Sequence, residues 1–148
     1  SDAKLLLIFD EAHLLSGEAL VDLRLLVSSA VEVGPPMKIL LVGQEHIRQT
    51  LKRSEYADIV NRISVRYQLR PLNKEQTRRY IDHQMVQHGG DVKIFDDVVK
   101  DMIHDQTGGV PRSINNLAVT CLIGASAKRT LRIDEEVFCQ AATEMQWN

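Results

Sequence analysis

The sequence has little that would mark a secreted protein, a membrane-spanning protein or a zinc protease. Its 148 residues include two cysteines, Cys121 and Cys139, without a CxxC spacing. Both lie in apolar, helix-like segments, so we expect buried, reduced thiols, which fit a reducing compartment. No apolar run is long enough to span a bilayer, and no signal peptide is visible. An HExxH motif is also absent, so no zinc protease is indicated.

Charge and composition favour an ordinary globular protein. The formal net charge is −2, which by itself indicates neither a nucleic-acid partner nor a membrane partner. Hydrophobic residues make up 44% of the sequence and charged residues 26%, as in soluble domains. The length suits one compact domain or two small layers that share a boundary.

The first half of the sequence has the pattern of an open α/β sheet. Short continuous apolar runs are typical of strands buried on both faces, whereas period-two alternation is typical of a half-buried strand. The predicted elements are a buried strand at 5–9, a helix at 14–31 with Ser16 as its N-cap, a buried strand at 38–42, a short helix at 45–52 and a half-buried strand at 63–69. Strands alternating with helices predict a parallel sheet.

After Pro71 the sequence changes to helical periodicity. Asn73 and Gln76 have the spacing of a capping box, and Pro111 suits the first position of a later helix. Apolar stripes and paired glycines predict four helices in all. The sequence therefore predicts an α/β part at 1–72 and an all-α subdomain at 73–148.

Polar side chains follow both buried strands. Asp10 and Glu11 come directly after the first strand, and Gln44 follows the second. Ligands of open parallel sheets bind outside the carboxyl ends of the strands. There, one carboxylate can hold Mg²⁺ and a second can deprotonate an attacking water. The alternative is that the two acids only cap the following helix.

Three arginines are further candidates. Arg112 lies in the first turn of a helix, where a cation opposes the helix dipole unless an anion such as phosphate bridges the two. Arg62 and Arg66 bracket the third predicted strand, and an arginine can stabilise charge on a transferring phosphoryl group. For Arg112 taken alone, a solvated arginine or a pair with a nearby acid is the favoured alternative, and the phosphate interpretation gains only from its combination with Asp10, Glu11 and Gln44. For Arg62 a surface cation is an equal alternative, and for Arg66 it is the favoured one.

Four segments in order resemble motifs of the AAA+ ATPases, and in particular the bacterial group that includes the general secretion pathway protein A ATPases and the transposition helper ATPases. They are LLLIFDEAH (Walker B), KILLVGQ (sensor 1), NRISVRYQLRPL (the arginine-finger region) and TGGVPRSINNL (sensor 2). The resemblance covers nearly the whole chain. It implies a P-loop parallel-sheet domain followed by a helical lid subdomain.

The resemblance also implies roles for individual residues and implies ATP and Mg²⁺ as cofactors. Asp10 would hold Mg²⁺, and Glu11 would activate the water. Gln44 would position that water near the γ-phosphate. Arg112 would contact the nucleotide of its own subunit, and Arg62 would reach the nucleotide of the next subunit in a ring or filament.

One motif of the family is missing. The Walker A loop, GxxxxGK[ST], does not occur in the sequence, and Gly108-Gly109 is followed by Val-Pro-Arg instead. We therefore expect the C-terminal part of a longer ATPase, which alone binds ATP poorly and does not turn it over. A sheet without its first strand also exposes an edge through which copies can associate.

Other interpretations stay open at this point. Residues 10–13 also spell the DEAH signature of helicases, but a second α/β sheet domain does not follow. A second alternative is a non-catalytic interaction or DNA-binding module with a vestigial nucleotide site. DNA binding is suggested by a run of cations: Arg62, Arg66, Arg70, Lys74, Arg78 and Arg79. The transposition role implies DNA and a transposase as partners. The secretion role implies secretion-machinery proteins and a cytoplasmic domain, attached to the inner membrane through another region.

Overall fold

The computed structural model describes residues 5–33 and 37–145, and for residues 27–33 it describes the backbone alone. The chain divides into two compact units, 1–67 and 68–148. The predicted boundary between 72 and 73 lies a few residues further along the chain. In the described ranges, no helix combines the length and apolar character needed to cross a bilayer.

The first unit is built on a βαβ crossover. Its elements are β1 (Leu5–Phe9), α1 (Gly17–Val33), β2 (Met37–Leu41), α2 (Glu45–Leu51) and α3 (Ala57–Val60), with short 3₁₀ turns at 12–14 and 54–56. The two strands pair in parallel, from Leu5 opposite Met37 to Phe9 opposite Leu41. A parallel pair needs such a crossover, because a tight hairpin can join only antiparallel strands.

The start of α1 agrees with the predicted cap. The Ser16 hydroxyl accepts a hydrogen bond from the Ala19 N–H at 3.2 Å, so one unpaired N–H of the first turn is satisfied. The helix begins at Gly17, three residues after the predicted Leu14, because residues 12–14 form a 3₁₀ turn instead. Leu20 is fully buried beneath the helix.

One face of the two-stranded sheet is open among the described residues. Leu6, Ile8 and Leu40 alternate along this face and are 47–60% exposed. Parallel sheets normally bury both faces, and these strands have the apolar sequence of that arrangement. The first unit is therefore organised as part of a larger sheet domain.

The predicted third strand at 63–69 is wrong for this structure. Residues 63–73 form no helix or strand, and Val65, Tyr67 and Leu69 are 82–86% exposed. An alternating sequence becomes a strand only when a neighbour pairs with its backbone and covers one face. Within residues 5–33 and 37–145, the sheet contains only β1 and β2.

The second unit consists of four helices around one core. They are α4 (Lys74–Gln87), α5 (Asp97–Thr107), α6 (Pro111–Ala127) and α7 (Glu135–Met145). The predicted capping box is confirmed, because Asn73 Oδ1 accepts from the Gln76 N–H and Gln76 Oε1 accepts from the Asn73 N–H. Pro111 begins α6 as predicted. The core contains Ile81, Phe95, Val99, Ile103, Ile114, Leu117, Cys121, Ala125, Ile133, Val137, Phe138 and Ala141.

The prediction of two buried cysteines is half right. Cys121 is free and buried in the core, and burial raises the pKa of its thiol to about 11. Cys139 is free but exposed. It follows Phe138 on α7, and one residue turns a helix by about 100°, so Phe138 faces the core and Cys139 faces away. Val98 on α5 is likewise exposed, because its neighbour Val99 faces the core instead.

Two glycines join α5 to α6 with different constraints. Gly108 has φ +59° and ends α5, and a Cβ there would meet nothing within 4 Å. Gly109 has φ +76°, and a Cβ there would lie 1.9 Å from the Leu72 carbonyl oxygen. The Leu72 N–H donates to the Gly109 carbonyl at 2.9 Å, so this close approach connects the segment before α4 to the start of α6.

We expect Gly109→Ala to lower the free energy of unfolding by about 3 kcal/mol or more, because a left-handed backbone and a steric collision both oppose it. Gly108→Ala is the matched control and should cost about 1–2 kcal/mol, from the left-handed conformation alone. Urea denaturation of both variants, followed by circular dichroism, measures the difference. Equal losses would show that the approach to Leu72 does not constrain the fold.

Candidate functional site

The loops that follow β1 and β2 lie side by side. The Val42 N–H donates to the Phe9 carbonyl at 2.9 Å, and the Ala12 N–H donates to the Val42 carbonyl at 2.8 Å. These bonds extend the strand pairing beyond the ends of both strands. As a result, residues 10–11 and residues 43–44 meet at the same edge of the sheet, where parallel-sheet proteins bind ligands.

Asp10 and Glu11 are oriented by their own backbone. The Glu11 N–H donates to Asp10 Oδ1 at 2.8 Å, which fixes the direction of that carboxylate. Glu11 itself has φ 51° and ψ 34°, a left-handed conformation that is uncommon outside glycine. Such a backbone costs about 1–3 kcal/mol and clusters at functional sites, although Arg129, in the turn after α6, also adopts it with φ 54°. The sequence contains no signal of this strain.

Asp10 fits an Mg²⁺ site whose other ligands come from water and from a bound phosphate. In the part of the chain that the structure describes, no group of three or more histidine, cysteine or acidic side chains could hold a metal ion. Mg²⁺ usually keeps several waters and binds through one or two carboxylates together with substrate phosphates. The exposed, oriented carboxylate of Asp10 can supply one such ligand.

His13 was not predicted as a functional residue, although it is the last letter of the DEAH sequence. Its side chain is 12% exposed, and its Nδ1 lies 3.3 Å from Glu11 Oε2. The backbone N–H of Gln44 is directed at the same Nδ1 from 3.4 Å. The imidazole therefore lies between the carboxylate after β1 and the loop after β2.

Gly43 allows the two loops to approach this closely. A Cβ at Gly43 would lie 3.0 Å from the backbone nitrogen of His13 and 3.3 Å from the backbone nitrogen of Ala12. Both neighbours are backbone atoms in a hydrogen-bonded turn, so they cannot move aside easily. A side chain at position 43 would therefore crowd the neighbouring loop.

Arg62 lies at a different place in the first unit. It follows α3, and its N–H donates to the Ile59 carbonyl at 3.0 Å. It lines a polar surface cavity of about 450 Å³ together with Arg24, Asp58 and Asn61. Arg24 Nη1 pairs with Asp58 Oδ2 at 3.0 Å, which connects α1 to α3, the helix that precedes Arg62.

Arg66 has a structural partner. Its Nη2 donates to the Val60 carbonyl at 3.1 Å, at the C-terminal end of α3. Cations and donors are favourable there because the last carbonyls of a helix lack intrahelical partners. The contact is consistent with the favoured interpretation of Arg66 as a residue without a catalytic role.

Arg112 belongs to the second unit. It is an exposed residue directly after Pro111, in the first turn of α6. Val110 precedes the helix and provides no side-chain cap, so the first N–H groups of α6 have no side-chain acceptor from that position. An anion could be bound by these groups and the guanidinium together.

The cations of α4 are largely paired. Lys74 Nζ lies 2.8 Å from Asp105, Arg78 makes a bidentate contact with Asp101 at 2.6 and 2.7 Å, and Arg79 pairs with Glu75. Hydrogen bonding to Arg78 holds the pKa of Asp101 below its usual value. A DNA-binding surface needs cations available to phosphates, so these ion pairs weaken the DNA-binding interpretation.

The chain is similar to known proteins in sequence and in fold. No family model matches the chain. General secretion pathway protein A of Aeromonas hydrophila is 31% identical over 137 residues, which cover 92% of this chain and 25% of that protein. The chain thus spans about a quarter of that relative's length.

Solved structures of RuvB from Thermotoga maritima have a similar fold. The structure described as the Holliday junction branch migration motor has a TM-score of 0.70 at 15% identity, over 92% of this chain and 43% of that one. A P216G mutant has a TM-score of 0.71 at 15% identity, over 97% of this chain and 46% of that one. At this identity the likeness concerns the fold alone.

The chain has an α/β part followed by a helical subdomain, and the RuvB structures share this fold. This confirms the fold class predicted from the sequence. Within that class, the chain resembles general secretion pathway protein A, as the motifs also predicted.

We expect Asp101→Asn to destabilise the protein at pH 7 and to matter less in acid. The folded state lowers the pKa of Asp101, so its stabilisation is complete above the unfolded value of about 3.9 and is lost as pH falls below it. The difference in urea midpoint between variant and wild type should therefore shrink between about pH 4 and pH 2. The exposed Glu144→Gln is the control, and a difference independent of pH would contradict the assignment.

Proposed function

We propose that this chain supplies the hydrolytic half of an AAA+ nucleotide site, and that the full-length protein couples ATP binding and hydrolysis to assembly or remodelling in secretion. The observation that carries the proposal is the pair of hydrogen-bonded loops in which Asp10 and Glu11 lie beside Gln44. Similarity to general secretion pathway protein A supports the secretion role over transposition.

Each residue of the loops has a distinct role in this proposal. Asp10 holds Mg²⁺, which neutralises phosphate charge when it is bound. Glu11 accepts a proton from the attacking water, and its neighbour Gln44 orients that water. Phosphoryl transfer depends mainly on positioning and electrostatics, so the fixed approach of the two loops is the central contribution of the first unit.

The arginines act from outside these loops. We assign Arg62 to the nucleotide of a neighbouring subunit, where its charge stabilises the transferring phosphoryl group. The Arg24–Asp58 ion pair supports α3, which Arg62 follows directly after Asn61. We assign Arg112 to the nucleotide of its own subunit. Self-association is therefore a requirement of the proposed activity.

The isolated 148-residue chain should hydrolyse no ATP, because the sequence contains no GxxxxGK[ST] loop to cradle the phosphates. A coupled phosphate-release assay with Mg²⁺ and millimolar ATP tests this. A longer protein that includes such a loop is the positive control. The contrary result is Mg²⁺-dependent turnover by the isolated chain that Glu11→Gln abolishes. That result would refute the expectation that a GxxxxGK[ST] loop outside this chain is needed to hold the phosphates.

In the full-length protein, we expect Glu11→Gln and Arg62→Ala each to reduce kcat by about 10²-fold or more while ATP still binds. The two variants damage different members of a shared site. A mixture of them should therefore regain activity, since an intact Glu11 can meet an intact Arg62 across the subunit contact.

Phosphate release from the mixture, at constant total protein, measures this complementation. Glu18→Gln, an exposed acid at the start of α1, is the matched control and should behave like wild type. Mixing that restores nothing would contradict the position of Arg62 in the neighbouring site. Undiminished turnover in Glu11→Gln would remove Glu11 from its role.

A further inference from the structure

His13 is a largely buried polar side chain at the proposed site that has no role so far. Its ring is 12% exposed, whereas the Glu11 side chain beside it is 62% exposed. The backbone around the ring is tightly held. The Ala12 N–H donates to Val42, and the Leu14 N–H donates to the Glu11 carbonyl at 2.9 Å.

Both contacts of the ring use the same atom. Glu11 Oε2 lies 3.3 Å from His13 Nδ1, and the Gln44 N–H is directed at that Nδ1 from 3.4 Å. A nitrogen that carries a proton can donate to the carboxylate, and a nitrogen without one can accept from the amide. Nδ1 can do only one of these at a time.

We propose that His13 is a positioning residue that uses Nδ1 to contact either the Glu11 carboxylate or the Gln44 backbone N–H. In the tautomer with the proton on Nδ1, the ring donates to the Glu11 carboxylate. In the other tautomer, Nδ1 accepts from the Gln44 backbone N–H. The proposal deepens the proposed function and rests on it, because His13 would set where the Glu11 carboxylate lies relative to the loop that carries Gln44.

The physical need for such a residue follows from Glu11. Its carboxylate ends a flexible, solvent-exposed side chain, and holding such a chain in one rotamer costs conformational entropy. A ring anchored between two hydrogen-bonded loops can restrict it. Gly43 permits this arrangement, because no side chain stands between its Cα and the backbone nitrogen of His13.

The first test is the turnover of full-length variants. Asn places a polar atom two bonds beyond Cβ, as Nδ1 is, whereas Gln places its polar atom three bonds beyond, as Nε2 is. We expect His13→Ala and His13→Gln to lower kcat by about 10–100-fold, the cost of a misplaced catalytic group. His13→Asn should recover most of the rate, and the Kd for ATP should be unchanged in all three.

His83→Ala, at an exposed histidine of α4, is the matched control and should retain full activity. A wild-type kcat in His13→Ala would overturn the proposal. Equal losses in His13→Asn and His13→Ala would also overturn it, because the ring would then serve only as packing.

A second test does not depend on hydrolysis. ¹⁵N-histidine labelling of the full-length protein reports whether Nδ1 carries a proton, and the His13 signals are assigned by their loss in His13→Asn. Glu11→Ala should shift Nδ1 toward the unprotonated form that accepts from Gln44, and Glu18→Ala should not. An unchanged Nδ1 signal in Glu11→Ala would refute the contact. If wild type lacks ATPase activity, the proposed function fails, and this spectrum still decides whether His13 contacts Glu11.

Discussion

The parallel pairing of β1 and β2 is the constraint on which the rest of the first unit depends. It places the ends of both strands at one edge, and two further backbone hydrogen bonds carry the pairing into the loops. The acids at 10–11 and the amide at 44 meet because of this register. A slip of one residue would turn the apolar side chains of a strand to the opposite face and separate the polar ones.

The local backbone then refines what the pairing brings together. Glu11 occupies a left-handed conformation, and Gly43 leaves room for the turn that contains His13. A similar device occurs in the second unit, where Gly109 lies against the Leu72 carbonyl before α6 begins. In both units a residue type or conformation that costs stability by itself is maintained by contacts from a distant segment.

Much of this organisation was predictable, because it follows from local periodicity and caps. Both strands, the Asn73–Gln76 capping box and Pro111 at the start of α6 follow from short-range patterns. One error arose where distant neighbours decide the outcome, because the alternating segment 63–69 lacks a pairing strand among the described residues. The other was local, because Cys139 follows the core residue Phe138 on α7 and faces away from the core. The role of His13 depends on two loops meeting, which single-sequence patterns do not report.

The contrast between the two cysteines makes the second unit convenient to observe. Cys121 is buried with a thiol pKa of about 11, so it contains almost no reactive thiolate near neutral pH. Cys139 is exposed on α7. Under non-denaturing conditions a maleimide dye or nitroxide should therefore attach at one position, without removal of a native cysteine. The helical unit thus carries a built-in attachment point for fluorescence or spin-label measurements of its motion.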